Sequence, residues 1–519
     1  MTPPPPRTRL TRRNFLRGSA ALAAVHGLAP LNQALAAVSP AQLAADPHRP
    51  QYHLLPPANW INDPNGPIHW RGEYHMFYQY YPRAAAFGVM HWGHAVSPDM
   101  VHWRHLPIAL APTPGGPDAD GCWTGSALPY GDRVALLYTG VVSAPEKDAT
   151  IRNGANSLRE SQCLAFASGP HLTTFTKEPA PVIPAPPAGL DVTGFRDPAP
   201  WREGEFWYTA LGSGIRGQGG AVLLYRSSDL RHWDYLHPLI TGAQNDIDIL
   251  VAGHMWECPD FFPLGDRHVL IHSTGGKAFW QSGALDPGSL TFHPERGGIL
   301  DYGSFYAPKT QLDAHHNRIL WGWIQEARPE ADYRAAGWAG AMSLPRILTL
   351  DAQHNLRIAV APEVEQLRHQ QQRLRITRNE AATRKQLASM TIHEACGEII
   401  ASFRRESGPF ALSLVSAEKT WLTCHFDPTR PAEILIDGQP IPLGPDSAPD
   451  STPDLELRFY IDGSVIECFA GNYAAITRRV YCDGAAAPPI NVKIGGSLQA
   501  LTALSISQIT PISRDRLTT

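Results

Sequence analysis

The stretch Trp60-Ile61-Asn62-Asp63-Pro64 decides the fold, because its pairing of a carboxylate with a nearby proline recurs in two later segments. These segments are Phe195-Arg196-Asp197-Pro198 and Trp256-Glu257-Cys258-Pro259. Each is followed by polar turn residues and a strand-like aromatic or aliphatic run. The acids lie 134 and then 60 positions apart, which matches two units and one unit of a repeat of about 60 residues. The sequence therefore predicts one structural unit that recurs along the chain and offers an acid each time.

A second marker recurs with a matching period. The segment Ser97-Pro-Asp-Met-Val-His-Trp103 returns as Ser227-Ser-Asp-Leu-Arg-His-Trp233, 130 positions later. From 50 to 350 the chain consists of short β-prone runs broken by Gly, Pro, Asn and Asp, which indicates an all-β region. Its length fits about five repeats, and radially arranged four-stranded sheets protect their edges in such an array. We predict a five-bladed β-propeller at 50–350, with the acids on the innermost strands of blades one, three and four.

The rest of the chain predicts a second β domain. Residues 351–372 include a Gln-rich, charged stretch that is typical of a connector. Beyond it, two alternating strand patterns flank the two-residue turn Asp462-Gly463, which predicts a hairpin. We predict a C-terminal β-sandwich at 373–519, so that the fold class is an all-β propeller followed by a sandwich.

The N-terminus predicts an export signal. Residues 1–36 contain Thr11-Arg-Arg-Asn-Phe-Leu-Arg17, a modestly apolar stretch at 19–31 and the small-residue site Ala34-Leu-Ala36. This order is typical of a twin-arginine signal peptide, with a disordered basic tail as the alternative. The apolar stretch is shorter than the roughly 20 residues that span a bilayer, so no stable membrane anchor is expected. We predict a periplasmic or extracellular protein.

Charge and cysteine content exclude several classes. Without the five arginines of 1–36, 39 basic residues remain against 48 acidic ones, a formal charge of −9. Nucleic acid is therefore not an expected partner. The seven cysteines are scattered without a Cys-x-x-Cys pair, which favours buried thiols over a zinc site or a disulfide framework. No metal or cofactor is expected, and the sequence does not predict an oligomeric state.

The recurring acids point to sugar chemistry. Paired carboxylates without a metal-ligand cluster suggest glycoside hydrolysis, in which one acid protonates the departing oxygen and another attacks or supports the anomeric carbon. The candidate aromatic walls for a sugar ring are Trp60, Phe87, Trp92, Trp123, Trp256 and Trp323, and the candidate readers of hydroxyls are Asn62, Gln79, Arg196 and Asp260. Taken singly, each of these residues also fits a turn, a surface ion pair or core packing.

The chain resembles glycoside hydrolase family 32, the invertase, levanase and inulinase group, from about Tyr52 to the C-terminus. The matching motifs are Trp60-Ile-Asn-Asp-Pro-Asn-Gly66, Phe77-Tyr-Gln-Tyr80, His91-Trp-Gly-His94, Trp123-Thr-Gly-Ser126, Phe195-Arg-Asp-Pro198, Trp256-Glu-Cys-Pro-Asp260, Phe305-Tyr-Ala307 and Gly337-Trp-Ala-Gly340. The fold of that family is a five-bladed propeller followed by a β-sandwich. One difference is Phe87, where many members have Trp.

The resemblance implies a role for each acid. Asp63 would be the nucleophile of a retaining reaction, Glu257 the general acid/base, and Asp197 a stabiliser that holds fructosyl hydroxyls. Asp63 must then be ionised while Glu257 is protonated, a division favoured because neighbouring carboxylates raise the proton affinity of a third. The positions that would line the fructose subsite are Asn62, Gln79, Trp123, Thr124 and Arg196.

The expected function is release of fructose from sucrose or from terminal β-fructosyl units of levan or inulin. A fructosyltransferase with sucrose as donor needs nearly the same residues and is the main alternative. Less favoured alternatives are a non-catalytic carbohydrate-binding propeller and an inverting, arabinan-type enzyme, whose working carboxylates would lie about 6.5 to 9.5 Å apart. The sequence does not distinguish sucrose, levan and inulin, nor exo from endo cleavage.

Overall fold

The computed structural model describes residues 38–153, 156–244, 253–417, 419–444, 454–484, 486–496 and 498–517. The signal peptide predicted at 1–36 lies outside these residues. Across the described part of the chain, the strands form seven sheets. Five of these sheets have four or five strands and come first, and two six-stranded sheets follow.

The first five sheets are propeller blades, and each runs mainly as an antiparallel meander. Blade one contains β1 (Asn59–Trp70), β2 (Glu73–Tyr81), β3 (His91–Ser97) and β4 (Arg104–Leu110). Blade two contains β5 (Gly121–Tyr130), β6 (Arg133–Ser143), β7 (Ile151–Asn153), β8 (Asn156–Ser168) and β9 (Thr174–Lys177). Blade three contains β10 (Val192–Glu203), β11 (Phe206–Ile215), β12 (Gly219–Ser227) and β13 (Trp233–Thr241). Blade four contains β14 (Glu257–Leu264), β15 (Arg267–Thr274), β16 (Lys277–Leu285) and β17 (Phe292–Ile299).

Blade five contains β18 (Phe305–Leu312) and β19 (Arg318–Ile324), and the chain then supplies β20 (Trp338–Ala339) to blade one. The strands β21 (Ala341–Met342), β22 (Arg346–Leu350) and β23 (Leu356–Val360) complete blade five. The predicted connector at 351–372 thus holds β23, a 3₁₀ helix at Pro362–Leu367 and most of the first sandwich strand.

The two six-stranded sheets form the C-terminal sandwich around a shared apolar core. In chain order its strands are β24 (Arg368–Arg373), β25 (Thr391–Ile392), β26 (Cys396–Arg404), β27 (Phe410–Val415), β28 (Thr420–Phe426), β29 (Glu433–Ile436), β30 (Gln439–Pro442), β31 (Asp454–Asp462), β32 (Val465–Ala470), β33 (Ala474–Arg479), β34 (Ile490–Gly495) and β35 (Leu501–Ile509). The predicted hairpin corresponds to β31 and β32.

Helices are few in the described residues. The α-helices are α1 (Pro40–Ala45), α2 (Glu330–Ala336) and α3 (Glu380–Ser389), and the remaining 3₁₀ helices are Glu146–Asp148, Gly242–Gln244, Arg405–Ser407 and Leu498–Ala500. None of the described helices has the length and apolar character needed to cross a membrane.

The five blades close into a ring around a central channel. The innermost strands contact one another in the order β1, β5, β10, β14 and β18, and β18 returns to β1. The ring is closed by β20, which pairs in parallel with β1 at Asn59 and Trp60. The predicted five-bladed propeller and sandwich are confirmed, and Asp63, Asp197 and Glu257 lie on the innermost strands of blades one, three and four.

The Ser-x-Asp-x-x-His-Trp marker forms the same turn in blades one and three, just before the fourth strand. One carboxylate oxygen of Asp99 accepts the backbone N–H groups of Val101 and His102, and the other contacts the His102 ring. Asp229 makes the equivalent contacts with the residues two and three positions further on. The repeat therefore reflects a turn that starts the outermost strand of each of these blades.

A buried ionic network joins the propeller to the sandwich. Arg346 of β22 donates to Asp301 at 2.9 Å and to Glu467 of β32 at 2.5 and 3.0 Å, and all three side chains are fully buried. The His53 ring lies between Glu467, at 3.0 Å, and Asp462, at 2.7 Å. Burial by itself lowers the pKa of His53, but its hydrogen bonds to these two carboxylates outweigh burial and raise that pKa to about 9.

Replacing Arg346 with methionine is expected to destabilise the protein by about 3 to 5 kcal/mol, because Asp301 and Glu467 would remain buried without their main counter-charge. The measurement is the midpoint of urea unfolding. A matched control is Arg334→Met, since Arg334 forms an exposed i,i+4 pair with Glu330 that should contribute only about 0.3 to 0.5 kcal/mol. Equal midpoints for the two variants would contradict a stabilising role of the network.

Candidate active site

Every innermost strand begins with a local break in its pairing register, as in a β-bulge. The breaks fall between Ile61 and Pro64, Cys122 and Gly125, Arg196 and Ala199, Glu257 and Asp260, and Tyr306 and Lys309. A bulge bends a strand and re-aims side chains beside it. The same local bend therefore recurs near the start of the innermost strand of every blade, beside the candidate site residues.

In blades three, four and five the bulge has a shared backbone conformation. A non-glycine residue followed by proline adopts a positive φ in each, namely 65° at Asp197, 49° at Cys258 and 52° at Ala307. Such a φ is unfavourable for most side chains and is typical of functional sites. The residue that precedes each of them is Arg196, Glu257 and Tyr306, respectively.

These three preceding side chains meet in the channel. The Arg196 guanidinium donates to Oε1 of Glu257 at 2.8 Å, and the Tyr306 hydroxyl donates to Oε2 at 2.5 Å. Both oxygens of this carboxyl group are thus held by side chains from the neighbouring blades. Arg196 also donates to Glu160 of blade two at 3.0 Å, and Glu160 itself is fully buried. The orientation of Glu257 is therefore fixed by a network that spans four blades.

Asp63 is held by hydrogen bonds on both of its carboxylate oxygens. Thr124 of blade two donates to Oδ2 at 2.6 Å, and the Asn62 amide donates to Oδ1 at 3.0 Å. Asn62 in turn accepts the indole N–H of Trp60 at 2.8 Å. Burial raises the pKa of Asp63 and the charge of Glu257 adds to this, whereas the two donors act in the opposite direction. The donors therefore favour the ionised form of a buried carboxyl group.

Asp197 is almost fully buried beside Asp63. Its Oδ2 accepts the backbone N–H of Cys258 at 2.9 Å, and its own N–H donates to Thr139. The Cys258 thiol lies 3.5 Å from Oδ2 of both Asp63 and Asp197. Burial raises the pKa of Asp197 to about 6, a rise that Arg196 opposes and the charge of Asp63 supports. The three acids, far apart in the sequence, thus converge at one end of the channel.

The raised pKa of Asp197 predicts a pH-dependent gain in stability for Asp197→Asn. Because this pKa is higher in the folded state than in the unfolded chain, ionisation of Asp197 lowers the free energy of unfolding. The loss is complete above about pH 6 and disappears below about pH 4, where the group is protonated in both states. The variant should therefore be more stable than the natural protein by about 2 to 3 kcal/mol at pH 7. Asparagine also tolerates a positive φ.

Urea unfolding at pH 7 and at pH 4 measures the effect, and the two proteins should differ only at pH 7. Asp191→Asn, at a largely exposed carboxylate, serves as the control and should change stability by no more than about 0.5 kcal/mol at either pH. A stability difference that is the same at both pH values would contradict ionisation of Asp197 as its cause.

The structure divides the predicted sugar-contacting residues into two groups. Trp60, Trp123 and Trp323 share one cluster at the channel, and Phe87 packs edge-on against Trp60 with 44% of its surface exposed. Trp92 differs, because its ring is fully buried and its N–H donates to the Trp123 carbonyl. The expectation that Trp92 contacts substrate is therefore corrected. Its ring is buried, and it holds the backbone of Trp123 through this hydrogen bond.

Three other candidates make contacts within the protein next to the site. Trp256 is fully buried and stacks on His272 at 4.1 Å. Asp260 accepts the backbone N–H of Thr310 at 2.6 Å, which ties blade four to blade five. Gln79 is 2% exposed, and its amide donates to the Cys122 carbonyl next to Trp123.

Two residues of the network, Tyr306 and Glu160, were missed by the sequence analysis. The signal for Tyr306 is visible in retrospect, because Tyr306-Ala307-Pro308 has the same frame as Glu257-Cys258-Pro259. Glu160 lies in the middle of β8 and has no such motif.

All seven cysteines are buried, and none of them forms a disulfide in the part of the chain that the structure describes. Burial and the neighbouring carboxylates raise the pKa of the Cys258 thiol well above its ordinary value, so this thiol stays protonated beside the acids. Within the described ranges, no group of three or more His, Cys, Asp or Glu side chains is arranged to hold a metal ion.

Comparison with protein families identifies the chain. The model of the glycosyl hydrolases family 32 N-terminal domain matches residues 53–361, and that of the family 32 C-terminal domain matches residues 363–506. The chain belongs to glycosyl hydrolases family 32. The two matched regions follow the propeller and the sandwich, and the boundary between them falls next to the 3₁₀ helix that follows β23.

Curated relatives in family 32 include a sucrose-6-phosphate hydrolase of Escherichia coli, 40% identical over 62% of this chain and 66% of that protein. Beta-fructofuranosidase 1 of Zea mays is 36% identical over 62% of this chain and 51% of that protein. The aligned region therefore spans about half to two thirds of these relatives. A solved family 32 structure, fructan 1-exohydrolase IIa of Cichorium intybus, has 28% identity, a TM-score of 0.71 and coverage of 90% of this chain and 98% of that one.

Proposed function

We propose that this protein releases fructose from sucrose or from terminal β-fructosyl units of a fructan, with retention of configuration. The observation that carries the proposal is the meeting of the three acids at the channel, where Cys258, the residue after Glu257, contacts both Asp63 and Asp197. The relatives support it, since they include a raffinose invertase of Escherichia coli and the chicory fructan exohydrolase. Two carboxyl groups that flank one glycosidic bond are sufficient for this reaction.

In the first step, Asp63 attacks the anomeric carbon while Glu257 gives its proton to the departing oxygen. Thr124 and Asn62 hold the Asp63 carboxylate, so its attacking oxygen needs little reorientation. Asp197 accepts hydrogen bonds from hydroxyls of the fructosyl ring. Its negative charge stabilises the positive charge that develops on that ring in the transition state. The product of this step is a fructosyl ester of Asp63 and a free leaving sugar.

In the second step, Glu257 removes a proton from water, and that water attacks the fructosyl ester and releases Asp63. Glu257 therefore alternates between a protonated and an ionised form. Arg196 can only donate a hydrogen bond, whereas the Tyr306 hydroxyl can donate to the carboxylate or accept from the acid. Tyr306 is thus suited to orient Glu257 in both halves of the reaction.

A panel of donors tests this function. Sucrose, sucrose 6-phosphate, raffinose, inulin and levan are each incubated with the protein, and the products are resolved by size. We expect free fructose and no β-fructosyl oligosaccharides at low donor concentration. Accumulation of kestose without matching free fructose would assign the protein to the transferases, and the absence of any fructosyl product would overturn the proposal.

We also propose that the protein is exported through a twin-arginine pathway. The support is the sequence of residues 1–36, in particular the pair Arg12-Arg13 before Phe15-Leu16. Fractionation of expressing cells tests it. The natural protein should leave the cytoplasm, whereas a variant with both arginines replaced by lysine should stay inside. Equal distribution of the two proteins would contradict this route.

A further inference from the structure

Helix α2 is attached to the strand that carries Asp63. The helix ends at Ala336 and is followed by its C-cap Gly337, which has a left-handed φ of 75°. The Gly337 carbonyl accepts the N–H of Asn59 at 2.7 Å. The next residues form β20, which pairs with β1 at Asn59 and Trp60. The indole N–H of Trp338 in β20 also donates to Asp46 at 2.7 Å. Helix α2 is therefore fixed next to the start of the nucleophile strand.

One side chain of α2 reaches the aromatic cluster around Trp60. The ring centre of Tyr333 lies 5.9 Å from that of Trp60, the same separation as for Trp323, and Phe87 lies at 6.5 Å. Trp60 is 8% exposed and Phe87 is 44% exposed, so the cluster extends from the buried floor beside Asn62 to the rim. Tyr333 is partly exposed, and no described residue forms a hydrogen bond with its hydroxyl.

The order of the propeller blades places Tyr333 on the side of the site where the leaving sugar would bind. Blade four carries Glu257, blade one carries Asp63, and blade five, which gives rise to α2, lies between them. The bond to be cleaved must lie between the acid and the nucleophile. The proposed function places the fructosyl unit among the three acids, so the leaving sugar must extend from them towards the rim. Tyr333 is the aromatic side chain that α2 adds to this rim.

We propose that Tyr333 determines specificity by packing against the ring of the leaving sugar. Aromatic rings bind the apolar faces of sugars, and a free phenol hydroxyl can also pair with a sugar hydroxyl. This inference rests on the proposed fructosidase function and adds a leaving-group subsite to it. Tyr333 contacts neither the fructosyl unit nor the acids, so it should contribute only when the leaving group has a ring to contact.

The test compares donors that share the fructosyl unit and differ in the leaving group. They are sucrose, 1-kestose and methyl β-D-fructofuranoside, in which the leaving group is methanol. For Tyr333→Ala we expect kcat/KM to fall about 5- to 20-fold on the two sugar donors and to stay within about twofold on the methyl donor. The loss on sucrose should lie mainly in KM, and Tyr333→Phe should recover most of it.

Arg334→Ala changes the adjacent, exposed residue of the same helix and serves as the matched control, with kcat/KM expected to stay within about twofold on all three donors. An equal loss of Tyr333→Ala on every donor would show a structural effect and overturn the inference, as would no loss on any donor. If the natural protein released no fructose from any donor, the proposed function itself would fail. Failure of the proposed function can be distinguished from failure of the inference, because it is measured on the natural protein alone.

Discussion

Replacing Asp63 with alanine is expected to lower the rate of fructose release by about 10⁴-fold or more. Without the carboxylate no fructosyl ester can form, and neither Thr124 nor Cys258, which both contact Asp63, can take its place. The Cys258 thiol cannot because burial raises its pKa and keeps it protonated. Steady-state assays with sucrose measure the loss, and the unfolding midpoint shows whether the variant is folded.

Added azide makes this first prediction more specific. In the space left by Asp63→Ala, azide should attack the anomeric carbon from the face that the carboxylate used, and it should yield fructosyl azide of inverted configuration. Nuclear magnetic resonance spectroscopy identifies the anomeric configuration of the fructosyl azide. An Asp63→Ala variant with normal activity, or a product of retained configuration, would contradict the role of nucleophile.

Replacing Glu257 with glutamine is expected to lower the rate by about 10²- to 10⁴-fold, with the largest loss on donors whose leaving group needs a proton. Glutamine keeps the shape of the side chain but can neither protonate the departing oxygen nor take a proton from water. Sucrose should therefore lose far more activity than p-nitrophenyl β-D-fructofuranoside, whose leaving group departs without protonation. The ratio of the two losses is the quantity to measure.

Azide also distinguishes the role of Glu257 from that of Asp63. In Glu257→Ala, azide should take the place of water in the second step and give fructosyl azide of retained configuration. Glu203→Gln changes an exposed carboxylate at the end of β10 and should keep nearly full activity. Equal losses of Glu257→Gln on both donors would contradict the assignment of Glu257 as the acid.

The sequence predicted the blade count and the placement of the acids because both depend on repetition. The bulge before a proline has a narrow sequence signature that recurs recognisably at Asp63-Pro64, Asp197-Pro198 and Cys258-Pro259, and in the last two the residue before the proline has a strained positive φ. The Ser-x-Asp-x-x-His-Trp turns are recognisable for the same reason, since specific side-chain hydrogen bonds define them.

The parts that the sequence did not reveal depend on distances between strands. Trp92 lies on the third strand of blade one and is buried. The sequence around an aromatic residue does not indicate whether its ring faces the channel or an adjacent blade. Glu160 is buried and paired only because β8 passes beneath Arg196, a contact between distant parts of the chain. Tyr333 belongs to a short helix, and the pairing of β20 with β1 brings this helix next to Trp60.

The pairing of β20 with β1 also sets when the ring of blades can first close during synthesis. Asn59 at the start of β1 is synthesised early, whereas its partner Trp338 in β20 follows 279 residues later. A nascent chain that has not yet passed Ala339 lacks both a complete β20 and the outer strands of blade five. The ring of blades can therefore close only after the ribosome has synthesised the segment that contains β20.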